Sequence, residues 1–145
     1  MSFLAKLLLG NGRLKPQTRA ALESEGLSFI EEGLPGSIRY RHFKAPGKRF
    51  HGKVTSERFG LGISERRLAV YCRSGRVKVI DSAFSDPRWS AVEVALENND
   101  TVSIRIDYDR VDVPNVSGEI TITTRTPKAA SVVELLQARL GRRDS

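Results

Sequence analysis

The chain has 145 residues, a formal net charge of +7, 39% hydrophobic residues and 28% charged residues. That is the length of one domain and the composition of an ordinary globular protein. It excludes collagen, coiled coil and a disulfide-rich scaffold, and no apolar run approaches the roughly 18 residues of a spanning helix.

Residues 3–9 place Phe3, Leu4, Leu7 and Leu8 on one helical face, and Asn11-Gly12 ends that segment. Pro16 suits a first helical turn, Gln17 to Glu25 reads as a helix, and Gly26 stops it. From Leu27 the period changes to alternation, with Gly33 to Gly36 and its Pro35 predicting a turn. Ser37 to Lys44 alternates as a strand, with Ile38, Tyr40 and His42 on one face and Arg39, Arg41 and Phe43 on the other. Ala45-Pro46-Gly47 predicts a turn, and Arg49 to Thr55 and Phe59 to Ser64 predict weaker strands. Gly60 and Gly62 predict a bend or bulge. Arg67 to Arg73 is a clear strand with Leu68, Val70 and Cys72 inward; Ser74-Gly75 turns it back into Arg76 to Ser82.

Ser85-Asp86-Pro87 predicts a break before Trp89. Ala91 to Glu97 fits a strand with Val92, Val94 and Leu96 on one face, and Asn98-Asn99-Asp100 a turn. Thr101 to Tyr108 is the best strand, with Val102, Ile104, Ile106 and Tyr108 inward. Gly118 to Arg125 follows with Ile120 and Ile122 inward, and Thr126-Pro127 ends it. Ala129 to Leu140 carries Val132, Val133, Leu136 and Leu140 at helical spacing, and Gly141 terminates it. The expected fold is mainly β: an antiparallel barrel or sandwich of about seven strands capped by one C-terminal helix. Residues 1–36 read as an N-terminal extension of short helices and a lead-in strand, and residues 37–145 as the domain.

Charge is polarised along the chain. Residues 37–80 hold twelve basic residues against Glu57 and Glu65, a net +10, whereas residues 81–112 are net −5. A positive side of this kind attracts anions such as phosphate groups, nucleic acid or an acidic protein. The basic residues expected to converge are Arg39, Arg41, Lys44, Lys48, Arg49, Lys53 and Arg76.

Catalytic and metal chemistry find little footing. His42 and His51 have no metal-ligand spacing with Cys72 or a nearby acid, and His42 reads as an ordinary hydrogen-bonded core or surface histidine. Cys72, the only cysteine, falls on an apolar strand face and reads as an inert buried thiol. Asp107, Asp109 and Asp112 resemble a calcium loop in spacing but lack its sixth-position glycine and closing glutamate. No phosphate-cradling glycine loop and no nucleophile elbow occurs. No catalytic residue, metal or cofactor is expected. One cysteine and no secretory h-region point to a reducing, cytoplasmic location, with peripheral contact at the membrane inner face as an extension of the charge argument.

The segment Ile63-Ser64-Glu65-Arg66-Arg67-Leu68-Ala69-Val70-Tyr71 resembles the Thr/Ser-x-x-Arg-Leu stretch that opens an apolar strand in bacterial pleckstrin-homology-like domains. Ile120 to Pro127 followed by the helix from Ala129 to Leu140 resembles their last strand and capping helix. The resemblance spans residues of about 37 to 140. It implies a barrel and a non-catalytic binding role. In lipid-binding members phosphate is held by basic residues around the first hairpin; here the turn from Lys44 to Arg49 lies in that place, with Lys44, Lys48 and Arg49 matching in charge. The spaced Arg-x-Arg pair, Arg39 and Arg41, falls before the turn.

The expected function is thus a binding module whose basic face meets an anionic membrane surface or a phosphate-bearing ligand. The alternative is a protein-interaction or scaffold module, homo-oligomeric or peptide-binding, with an acidic protein as partner and no lipid ligand. Nucleic-acid binding ranks below both: Tyr40, Phe43, Phe50 and Phe59 interleave with basic residues, but these rings read mainly as core.

Overall fold

A computed structural model describes residues 14, 16–73, 77–111 and 113–142. The chain order is α1 (Pro16–Ser24), β1 (Leu27–Ala45), β2 (Lys48–Phe50), β3 (Val54–Ser64), β4 (Arg67–Cys72), β5 (Val77–Ala83), a 3-10 turn (Pro87–Ala91), β6 (Val92–Glu97), β7 (Thr101–Asp107), a second 3-10 turn (Tyr108–Arg110), β8 (Ser117–Arg125) and α2 (Ala129–Arg139). The protein is therefore mainly antiparallel β with one short N-terminal helix and one C-terminal helix, as the alternation predicts. The predicted helix over residues 3–9, the Ser74-Gly75 turn and Arg76 lie outside the described residues. No helix among the described residues is long and apolar enough to cross a membrane.

Two compact units emerge, Met1–Gly36 with Ser56–Asp86, and Ser37–Thr55 with Pro87–Ser145. Strand β1 contributes to both, and the division between Gly36 and Ser37 falls inside this 19-residue strand. The turn predicted at Gly33 to Gly36 does not form. Gly33 takes the left-handed conformation, with φ 74, and its carbonyl accepts a hydrogen bond from Arg58 Nη1 at 3.0 Å. Leu34 beside it is buried, which keeps the chain on the sheet. The glycine there lets the strand bend without reversing it.

In the first unit the strand order is β5-β4-β3-β1. Phe59, Leu61 and Ile63 of β3 face Cys72, Val70 and Leu68 of β4 in register, and all six are buried. The opposite face is covered by α1, where Leu22 is fully buried in a cluster with Leu14, Ala69 and Tyr71, and Leu27 and Ile30 pack against it. Burial on both faces explains why β3 and β4 read as apolar runs rather than clean alternation. Gly62 is not a bulge, contrary to expectation. A Cβ there would sit 2.4 Å from Leu22 Cδ1, so the glycine makes room for α1. The irregularity falls instead at Val70/Tyr71, where the β4–β5 register shifts. Arg67 fastens this layer: it pairs with Glu25 at 3.1 Å and Asp81 at 2.6 Å, and Tyr71 donates to Asp81 at 3.0 Å.

In the second unit the order is β1-β8-β7-β6, with β2 paired to β1. Val94↔Ile104 and Ile104↔Ile122 stack across the sheet, and Val102 and Ile38 are buried as well. Asn98 and Asn99, with φ 51 and 63, form the tight β6–β7 turn that their left-handed tolerance predicts. Helix α2 buries Ala129, Val132, Val133 and Leu136 and packs on β6 and β7. It ends as predicted at Gly141, whose N–H bonds the Ala138 carbonyl while the Arg142 N–H bonds the Gln137 carbonyl, the two bonds of a Schellman cap. Past the cap, Arg142 Nη1 donates to the Val92 carbonyl at 2.6 Å and Gln137 Nε2 to the Val94 carbonyl at 2.8 Å. Carbonyls of the outermost strand are thereby taken up by side chains, which blunts an edge that would otherwise template association.

Candidate anion-binding site

The second unit carries the site. Residues 37–55 hold six basic residues, two histidines and no acid. Pro46 and Gly47 join β1 to β2, with Gly47 at φ 74, the proline-then-glycine arrangement of a type II turn. The turn sets the register: Ala45↔Lys48, Lys44↔Arg49 and Phe43↔Phe50. Two cations thus stand directly opposite one another across the hairpin, an arrangement that costs stability unless something offsets it. Two positions further along, the rings of His42 and His51 stack, with centroids 4.3 Å apart and planes 30° from parallel.

These side chains share a cleft of about 390 Å³ lined by His42, Phe43, Lys44, Arg49, Phe50, His51, Asp109, Ser117 and Gly118. Its shape depends on one backbone feature. His42 has φ 49, which shifts the alternation of β1 by one residue. This corrects the expected faces: Phe43 leaves the side of Arg39 and Arg41, is buried, and packs on Tyr40 at 5.4 Å and Tyr108 at 5.9 Å between centroids. His42 turns outward instead and is exposed. Gly118 lies against this kink, and a Cβ there would stand 2.2 Å from the His42 carbonyl oxygen. Phe50 completes the aromatic floor, 4.9 Å from Tyr40 and 6.4 Å from Phe43. The rings of Tyr40, Phe43 and Phe50 are therefore occupied with each other. Burial also pushes the Tyr108 phenol above its usual range, against the opposing charge of Arg88.

Among the described residues one carboxylate lines the cleft, and it accepts a backbone hydrogen bond. Asp109 Oδ1 accepts the Gly118 N–H at 3.0 Å, while Asp107 Oδ1 accepts the Asp109 N–H at 3.0 Å. Asp107 and Asp109 thus serve as turn caps, and Asp112 lies outside the described residues. Among the described residues neither Lys44 nor Arg49 has an ion-pair partner, and both are exposed. Such a hollow can hold an anion by charge and by hydrogen bonds from guanidinium, ammonium and imidazole donors.

The seven basic residues expected to converge divide. Lys44 and Arg49 line the cleft, and Lys48 is exposed beside them at the turn. Lys53 Nζ sits 4.0 Å from the Phe50 ring centroid, a cation–π contact at the cleft floor. Arg39 and Arg41 go elsewhere. They line a second groove, also about 390 Å³, with Glu93, Glu97, Arg105 and Glu119. There Arg105 bridges Glu93 at 2.6 Å and Glu119 at 3.8 Å, so the groove holds as many carboxylates as guanidiniums. Arg76 lies outside the described residues.

Reading His42 and His51 separately missed the pair. The signal was nevertheless in the chain: His42-Phe43-Lys44 and Arg49-Phe50-His51 mirror each other about Pro46-Gly47. A two-residue turn folds that near-palindrome into His, Phe and cation pairs. Cys72 reads as expected. Burial first, and the neighbouring Glu57 carboxylate second, push its thiol up to about 11, so it stays protonated near neutrality. Compared with known proteins, the chain matches no family model and no curated protein.

Proposed function

We propose that the protein is a non-catalytic binding module, pleckstrin-homology-like in kind, that takes a phosphate-bearing anion on the β1–β2 hairpin. The observation that carries this reading is the cross-strand pair Lys44↔Arg49, two exposed cations neither of which has an ion-pair partner among the described residues, in a cleft where Asp109 is the one described carboxylate. A hairpin optimised for stability would place opposite charges there. An anion seated between the two cations reverses the repulsion. The element inventory implied by the family resemblance, about seven strands and a C-terminal helix, supports the same reading.

A free phosphate-bearing ligand and a phospholipid headgroup offer the same chemistry, and two titrations separate them. One uses inorganic phosphate followed by the imidazole proton resonances. The other uses phosphatidylcholine vesicles with rising phosphatidylserine, followed by sedimentation. Charge-assisted hydrogen bonds of about 1.5–3 kcal/mol each predict that Lys44→Glu with Arg49→Glu weakens binding by tenfold or more. Saturation by phosphate alone assigns a free ligand; saturation by vesicles as well assigns a membrane headgroup. No response in either titration at low salt overturns the reading.

The second groove favours a second role. Arg39, Arg41 and Arg105 alternating with Glu93, Glu97 and Glu119 suit a protein surface of mixed charge better than an anion. Capture of a defined partner that is lost on Arg39→Glu, with phosphate binding intact, would establish it.

A further inference from the structure

The stacked histidines give the cleft a property that Lys44 and Arg49 alone do not supply. We propose that anion binding at the hairpin is coupled to proton uptake by the His42–His51 pair, so that the site tightens as pH falls from mildly alkaline to mildly acidic. This rests on the anion-binding reading above and concerns how that site is regulated.

Two exposed imidazoles lie 4.3 Å apart, ring against ring. Neutral rings stack at that distance at no electrostatic cost. Two imidazolium rings repel, and the charges facing them from the rest of the cleft make this worse: Lys44 on β1 and Arg49 on β2 are both cations. The remaining polar groups come from Ser117 on β8 and from Asp109 in the turn after β7, whose carboxylate accepts the Gly118 N–H and is the one negative charge among the described residues of the cleft. A dianion placed in the cleft lies against both rings, favours their charged form and gains two further N–H donors from it. Since imidazole titrates within the physiological range, the exchange occurs where a cell or compartment can use it.

The sign follows from linkage. The anion-bound state binds more protons than the empty state, so affinity rises as pH falls. The gain is complete below the range in which the empty pair titrates, and it disappears above the range in which the bound pair titrates. Each proton taken up is worth up to tenfold in affinity per pH unit within that window.

Sulfate is the probe, because it stays a dianion across the range and phosphate does not. Calorimetric titrations at pH 5.5, 6.5 and 7.5, each in two buffers of different ionisation enthalpy, count the protons directly. The expectation is at least tenfold tighter sulfate binding at pH 5.5 than at pH 7.5, with proton uptake between zero and two per site at intermediate pH. The double variant His42→Asn, His51→Asn should lose this slope, its affinity varying less than threefold between pH 5.5 and pH 7.5. Asparagine is chosen because it tolerates the left-handed backbone of residue 42. Buffer-dependent heats on the unaltered protein test the proposal whether or not that variant folds. Sulfate binding that is flat with pH, or a slope surviving in the double variant, overturns proton coupling and leaves the anion site standing. Sulfate binding absent at every pH overturns both.

Discussion

His42 and Gly118 are the residues on which the site turns. His42 occupies φ 49, a conformation that costs a non-glycine residue of order 1–3 kcal/mol and persists only where surrounding contacts over-determine it. Those contacts are Phe43, buried among Tyr40 and Tyr108, and Gly118, whose bare Cα lets β8 approach the His42 carbonyl. Gly118 itself has φ 90. Replacing it by alanine adds left-handed strain and a collision with backbone that has nowhere to retreat. Gly118→Ala should lower stability by about 2 kcal/mol or more, read from the urea midpoint. An unchanged midpoint would mean that β8 does not approach the kink this closely. Little of this was legible beforehand. Histidine is not a turn signal, so strict alternation carried Phe43 to the face of Arg39 and Arg41. The preference that overrode it is tertiary: an aromatic ring gains more by joining Tyr40 and Tyr108 than the backbone loses at one residue.

Among the elements, the β1–β2 hairpin shows function opposing stability. Lys44 and Arg49 are held opposite each other by a turn that allows no other register. Arg49→Glu replaces repulsion by an opposite-charge pair and should stabilise the free protein by about 0.5 kcal/mol or slightly more. The same substitution should abolish anion binding. A variant that lost both stability and binding would point to a structural duty for Arg49 instead. The other elements were read from the chain with varying success. β8 and α2 were legible because one face is more buried than the other, which writes a period into the residues; β7 was legible from its apolar alternation although Thr101 and Ser103 on its other face are buried too. β4 was clear, but β3 was harder, since α1 covers the face that would otherwise be polar, and Gly62 records that contact rather than a bend. Gly33 announced an unusual backbone correctly, but whether a left-handed glycine reverses a strand or merely bends it depends on what the next residues bury.

At the scale of the whole molecule, the contrast of +10 and −5 along the chain is dispersed by folding. The basic stretch 37–80 is divided between the two units. Within the first, Arg67 meets Glu25 and Asp81, and Arg73 meets Glu57. Within the second, Arg105 meets Glu93 and Glu119. Lys44 and Arg49 stay side by side without an ion-pair partner among the described residues, and a net charge of +7 still repels itself. Raising sodium chloride from 10 to 100 mM shortens the screening length from about 30 to about 10 Å and should raise the Tm by about 2–5 °C. Arg49→Glu should respond less. A fall in Tm would show that exposed pairs such as Glu93–Arg105, which salt weakens, outweigh the self-repulsion.

The sequence by itself determined the class of fold, the place of nearly every strand and of both described helices, the inert burial of Cys72 and the presence of an uncompensated basic stretch. Those properties are local: a period, a cap or a turn residue acts within a few positions of itself. Only the tertiary structure decided which cations stay together. Lys44 and Arg49 share a cleft with two stacked histidines, while Arg39 and Arg41 are drawn among glutamates supplied by β6 and β8. Strand pairing brings residues more than 50 positions apart side by side, and Coulomb energy depends on that separation in space, not on the order of residues in the chain.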